Sequence, residues 1–213
     1  MTDTLPLIDP AEVGDQVRAG SVHGVLLAAG DSQRYGDRNK LLVEVDGVPM
    51  VRRAAEALTE SAVESVFVVL GYEADAVATA LDGLEIEIVE NPAYHAGQAT
   101  SLRAGTRAAR EAGAAAVCYA LGDMPWVQPG TVDTLIEAYL ADRGDPLAAA
   151  YEGNRGNPTL FDARHFEALE AVDGDTGGRE ILLGDDRAAM VATGDPGVRR
   201  DVDTPDDHSP GST

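Results

Sequence analysis

From Val22 onward the chain alternates short apolar runs with amphipathic stretches of helical period, a pattern that fits a mostly parallel sheet covered by helices on both faces. Val22 to Ala29, Val66 to Leu70, Leu84 to Val89 and Ala115 to Leu121 read as strands. Between and after them, Met50, Ala54, Ala57 and Leu58, then Ala74, Val77, Ala78 and Leu81, recur at helical spacing. A helix around Thr100 to Arg110 and another over Val132, Leu135, Ile136, Tyr139 and Leu140 continue the series. Pro49 fits a first helical turn, and Asn91-Pro92 ends the third strand. In the later third, Leu147 to Tyr151 and Thr159 to Phe161 flank the polar turn Glu152 to Asn157, which predicts an antiparallel excursion placed to wall half of a cleft. Residues 1–21 read as an added N-terminal helix with Asp9 as cap and Pro10 at its first position. Residues 22–207 make the main domain and residues 208–213 a polar tail.

At 213 residues one compact unit is expected. No apolar run approaches the roughly 18 residues that span a bilayer, and the first residues lack a secretory layout, so the expectation is a cytoplasmic protein with no membrane partner. Cys118 is the single cysteine, which excludes an internal disulfide or a cysteine zinc site; its apolar setting marks it as inert packing. His23, His95, His165 and His208 are too scattered for a metal cluster. A formal net charge of -21 repels nucleic acid and suits an acidic skin in a salt-rich cytoplasm. Against that background the only lysine, Lys40, stands beside a glycine-rich loop, either as a chance survivor or as a retained local positive charge.

That loop is Leu27-Ala28-Ala29-Gly30-Asp31-Ser32-Gln33-Arg34-Tyr35-Gly36, followed by Lys40. Its glycines let backbone amides turn toward an anion, and Arg34 and Lys40 add fixed positive charge. It lacks the Gly-Lys-Ser/Thr ending of a Walker loop and the Gly-x-Gly-x-x-Gly of dinucleotide folds. Further along, Leu121-Gly122-Asp123-Met124-Pro125 emerges from the carboxyl end of a buried strand, the edge where open parallel sheets bind ligands. A carboxylate there suits Mg²⁺, which takes one or two carboxylates plus substrate phosphates; the alternative is an aspartate turning the chain before Pro125.

The Leu-Ala-Ala-Gly-x-Ser-x-Arg-x-Gly loop with its following lysine resembles that of the molybdenum cofactor nucleotidyltransferases, with Tyr35 in place of the usual methionine and a slightly longer approach to Lys40. The resemblance runs from Val22 to Asp207 and implies a three-layer, Rossmann-like α/β nucleotidyltransferase fold. It places Leu27, Ala28, Ala29 and Gly30 along the nucleotide and Arg34 and Lys40 at its phosphates. Gly97 and Ser101, in Asn91-Pro92…Gly97-Gln98-Ala99-Thr100-Ser101-Leu102, border the same ligand. Asp123 and Asp203, the latter in Asp201-Val202-Asp203-Thr204-Pro205, are implied metal ligands, with Asp201 flanking. Arg155 and Asn157 of Arg-Gly-Asn-Pro, and Asp175 and Arg179 of Gly-Asp-Thr-Gly-Gly-Arg, are implied on the acceptor side, where a guanidinium can fork onto a phosphate.

By resemblance the reaction moves CMP from CTP to molybdenum-molybdopterin, with Mg²⁺ as cofactor, Lys40, Arg34 and Asp123 as catalytic residues, and a molybdoenzyme as downstream partner. The Leu-Ala-Ala-Gly form is similar to the cytidylyl branch, whereas guanylyl relatives tend toward Leu-Ala-Gly-Gly. Two rivals stay open: transfer from another triphosphate to another phosphorylated acceptor such as a sugar phosphate, and a non-catalytic carrier or insertion partner for the cofactor.

Overall fold

The computed structural model describes residues 5–31, 38–174 and 177–202. Its first half holds strands β1 (Leu7–Ile8), β2 (Val22–Ala28), β3 (Glu44–Val45), β4 (Val48–Pro49), β5 (Val66–Leu70) and β6 (Glu87–Glu90), with helices α1 (Met50–Thr59), α2 (Ala74–Ala80) and α3 (Gln98–Glu111). The second half holds β7 (Ala116–Leu121), α4 (Pro129–Leu140), β8 (Leu147–Tyr151), β9 (Asn154–Asp162), α5 (Phe166–Ala171), α6 (Arg179–Gly184) and β10 (Ala189–Ala192). Eight of the strands form one sheet in the order β1-β10-β8-β9-β7-β2-β5-β6; β9 runs antiparallel to both neighbours and the other pairings are parallel.

Alternation along the strands separates the two layers of the core. Leu26, Val68 and Cys118 face one side, where they pack with Val51, Ala54 and Leu58 of α1, Val77 of α2 and Leu135 of α4. Val25, Phe67, Val69 and Tyr119 face the other, against Leu102 and Ala109 of α3, Leu169 of α5 and Leu182 of α6. This is the three-layer arrangement expected of the sequence, and the turn between β8 and β9 supplies the antiparallel excursion. Asn154 to Asn157 belong to β9 rather than to the turn, and β6 starts at Glu87, later than the apolar run at Leu84, because Leu84 closes a turn, its amide donating to Leu81 O at 3.2 Å, while its side chain packs onto the core. Burial pushes the Cys118 thiol up to about 12, in keeping with an inert packing role. No helix among the described residues is long and apolar enough to cross a membrane.

The N-terminal helix expected for residues 1–21 is replaced, among residues 5–21, by edge-strand structure. Asp9 does cap a helix and Pro10 does open it, but that helix is a single 3-10 turn, Pro10–Glu12. Just before it, Leu7 and Ile8 pair in parallel with Met190 and Val191, and Ile8 is buried. Backbone pairing to an open sheet edge outweighs weak local helix propensity, which Gly14 and Gly20 at positive φ reduce further. Arg18 then ties the segment down: its guanidinium lies 4.7 Å above the Tyr139 ring and donates to Asp162 at 3.0 Å and to Asp142.

A second polar knot closes the edge of the sheet opposite the strand ends that build the site. Asp145, fully buried, accepts from the Asp162 amide at 3.0 Å and from Arg164, and His165 Nε2 lies 3.3 Å away. Burial alone would raise its carboxyl, but His165, Arg164 and the Asp162 amide outweigh that and hold it down at about 2. The resulting stabilisation is complete above the unfolded value near 3.8 and is lost as pH falls through the folded value near 2. Asp145→Asn is therefore expected to cost about 2 kcal/mol at pH 7, with the deficit shrinking toward pH 3. Urea unfolding across that range checks it; a deficit independent of pH would show that the charge contributes nothing.

Candidate active site

The parallel strands deliver their carboxyl ends to one edge. Leu27 pairs with Leu121 across β2 and β7, the Gly122 amide donates to Leu27 O at 3.0 Å, and the Tyr72 amide after β5 donates to Ala29 O at 3.1 Å. Ala28 and Ala29 are buried, while Gly30 is exposed with open space where a side chain would stand. Arg34, expected at the phosphates, lies outside the described residues. The chain returns through Asn39, only 4% exposed, whose side chain accepts from the Leu41 amide at 3.1 Å and reaches Tyr72 O at 3.5 Å. This cap starts the 3-10 turn Lys40–Leu42, buries Leu41 and turns Lys40 inward.

Lys40 Nζ donates to Asp123 Oδ2 at 2.7 Å and to Val202 O at 3.1 Å. The Val202 amide donates in turn to Asp123 O at 3.0 Å. Residues 83 and 162 positions from Lys40 thus meet at one ammonium. The Lys40 and Asp123 side chains are 15% and 22% exposed, so their attraction is only partly screened. Asp123 Oδ1 is buried and has no hydrogen-bond partner among the described residues. A carboxylate with one oxygen on a cation and the other unsatisfied fits a divalent ion, whose chemistry would answer that orphaned oxygen. Among the described residues no group of three or more such ligands is present; Asp203 lies outside them, and Asp201 is exposed.

Beside this centre, Gly97 precedes α3 at φ 108, a conformation open to glycine. Ser101 is 5% exposed, and its Oγ accepts from Asn91 Nδ2 at 2.9 Å. Asn91 also accepts from the Ala93 amide at 3.1 Å, and its own amide donates to Leu70 O at 2.8 Å. The Asn-Pro and Ser-Leu elements are therefore one hydrogen-bonded corner, in which Ser101 is an internal strut.

On the other side of Leu27 and Leu121 a cavity of about 200 Å³ opens. Its floor is apolar, with Leu102, Phe161 and Leu182 beside those two leucines; Gln98, Arg155, Asn157, Thr159 and Arg179 supply polar groups. Because β9 is antiparallel, its first residues arrive at the edge where the parallel strands end. Arg155, Asn157, Thr159 and Phe161 then share one face by the two-residue period. Sequence reasoning placed Arg155, Asn157 and Arg179 here but missed Thr159 and Phe161, which that period alone would have found. It also missed Gln98, which neighbours the matched Gly97, and the backbone of Val202, which carries no side-chain signal. Asp175 lies outside the described residues.

A family model described as the MobA-like NTP transferase domain matches residues 24–190. A nicotine blue oxidoreductase of Paenarthrobacter nicotinovorans is 32% identical over 192 residues, covering 86% of this chain and 92% of that protein. A probable molybdenum cofactor guanylyltransferase of Natronomonas pharaonis is 30% identical over 204 residues, covering 88% and 95%. Among solved structures, Rv0371c of Mycobacterium tuberculosis superposes with a TM-score of 0.77 at 27% identity, over 90% of this chain and 97% of its own. Its complex with manganese gives 0.68 at the same identity, over 88% and 96%. With a matched model spanning most of its length, relatives aligned nearly end to end and a basic-acidic centre at the sheet edge, the chain belongs to the MobA-like NTP transferase family.

Proposed function

We propose that the protein transfers CMP from CTP to a molybdopterin-type phosphorylated acceptor, releasing pyrophosphate, with Mg²⁺ as cofactor. The observation that carries this reading is the convergence of Lys40 on Asp123, whose second oxygen has no hydrogen-bond partner among the described residues. An acceptor phosphate oxygen attacks the α-phosphorus in line, a new P–O bond forms, and the bond to the β-phosphate oxygen breaks. Asp123 and Asp203 would hold the divalent ion, which would neutralise charge on the phosphates. Lys40 and Arg34 neutralise the triphosphate, and Gly30, Gly97 and the edge of β2 seat the nucleotide. Arg155 and Arg179 fork onto the acceptor phosphate, with Asn157 beside them, and the resemblance adds Asp175 to the acceptor side. The apolar floor formed by Leu102, Phe161 and Leu182 favours a flat heterocycle over a sugar phosphate, whose hydroxyls would go unpaired there.

The Ala29 position supports CTP, while the similarity to a named guanylyltransferase makes GTP the competing donor. Pyrophosphate release with each of the four triphosphates, with and without molybdopterin, is expected to be largest with CTP and molybdopterin together. A preference for GTP would overturn the base assignment alone; release with a sugar phosphate would overturn the acceptor; no release with any combination would leave a carrier. The similarity to a nicotine blue oxidoreductase supports a second reading, an oxidation or reduction, which would yield no pyrophosphate.

The proposed setting is a salt-rich cytoplasm, with the product passed to a molybdoenzyme. At a net charge of -21, screening by molar salt relieves self-repulsion, so the melting temperature is expected to rise between low salt and about 1 M, where the Debye length falls to about 3 Å. A flat or falling melting temperature in a salt series would remove the salt-adapted part of the reading.

A further inference from the structure

The segment after β10 is held by a carboxylate that the reaction as described does not use. Asp195 is 8% exposed and takes three hydrogen bonds: Oδ2 from the Gln128 amide at 2.9 Å and Thr131 Oγ1 at 2.7 Å, Oδ1 from the Gly197 amide at 2.7 Å. Gln128 is the N-cap of α4 and offers no side-chain cap of its own. A serine or threonine at position 128 would accept from amides of the first helical turn and could not take the Gln128 amide itself, so the bond to Asp195 has no local substitute. The long-range cap achieves something a local one does not, since it fastens the segment 195–202 to the loop that carries Asp123.

Downstream of Asp195 the segment is wedged at two points that only glycine permits. A side chain at Gly197 would stand 2.2 Å from Trp126 O, and one at Gly156 would stand 2.0 Å from Val198 O. Arg200 stacks 4.0 Å above the Trp126 ring. The segment ends at Val202, whose amide bonds to Asp123 O and whose carbonyl receives Lys40. One strap therefore touches the Asp123 loop, the residue after Arg155, and the Lys40 ammonium.

We infer that Asp195 is a positioning residue: its carboxylate locks this strap in register so that Asp123 keeps one orientation toward a divalent ion while Lys40 stays within reach. This rests on the transferase reading of the site. In Asp195→Asn the shape is kept, but an amide NH₂ must face a backbone N–H on one side, so one end of the strap is released.

The experiment compares wild type, Asp195→Asn and Thr131→Val by Mn²⁺ binding without substrate, followed by electron paramagnetic resonance, and by steady-state pyrophosphate release. Asp195→Asn is expected to weaken Mn²⁺ binding and lower kcat by about 10- to 100-fold, the range seen when partners of metal ligands are removed. The KM for the triphosphate should stay within about twofold, because uniform binding is untouched. Thr131→Val, which removes one bond and leaves the carboxylate, should show a smaller loss in the same direction even if Asp195→Asn folds poorly. Asp145→Asn serves as control: it loses stability at the opposite edge but should bind Mn²⁺ as wild type does. Unchanged Mn²⁺ affinity and kcat in Asp195→Asn, or in Thr131→Val where the first variant fails to fold, would overturn the inference. A wild-type protein that binds no Mn²⁺ and releases no pyrophosphate would instead overturn the transferase reading.

Discussion

Asp123→Ala is expected to lower the rate of pyrophosphate release by about 10²- to 10³-fold, the scale for removing one charge-stabilising group from a reacting centre. Its melting temperature should fall only modestly, although the Lys40 ammonium loses a partly buried partner. Among the described residues Oδ1 makes no hydrogen bond, so its removal breaks none there, and Lys40 keeps the Val202 carbonyl after losing Oδ2. That separation of activity from stability gives the variant its value, since a purely structural aspartate would show the opposite. Asp123→Asn should be nearly as slow although it preserves shape. An amide binds a hard cation poorly, and its NH₂ must face either the Lys40 ammonium or the metal side, where a donor is unwelcome in both places. Turnover of Asp123→Asn within about threefold of wild type would remove Asp123 from the metal site.

The sequence exposed Lys40 and Asp123 for different physical reasons. Lys40 stood out because a chain this acidic keeps a single lysine, and Asp123 because it follows a buried strand, where a carboxylate has no solubility role. Both strands and helices of the main domain were legible, since period two and period 3.6 follow directly from which face is buried. The N-terminal segment was not, because Leu7 and Ile8 acquire their conformation from Met190 and Val191, far along the chain. Asp195 was equally hidden: a cap that acts across 67 residues leaves no local spacing to read. Arg34 was legible as a fixed charge beside the glycine loop, whereas the acceptor role of Asp175 and the metal role of Asp203 come from the resemblance.

Lys40→Met is expected to move two measurements in opposite directions, and this distinguishes a catalytic lysine from a structural one. Without nucleotide the ammonium sits on Asp123 Oδ2 at 2.7 Å, so it offsets part of the negative charge that a cation on Oδ1 would meet. Removing it should tighten Mn²⁺ binding by the substrate-free protein, because the carboxylate then faces the ion unopposed. In the presence of triphosphate the same change should lower turnover by about 10²- to 10³-fold, because the phosphates lose their fixed positive charge. Lys40→Arg should not restore the rate: a planar fork cannot reproduce a compact ammonium placed between a carboxylate and a backbone carbonyl. If the pair works as one unit, the double variant Lys40→Met/Asp123→Ala should be scarcely slower than either single change. Additive losses would mean that the two residues act on separate parts of the substrate, and a Lys40→Met protein with unaltered Mn²⁺ affinity would show that the contact does not regulate access to Asp123.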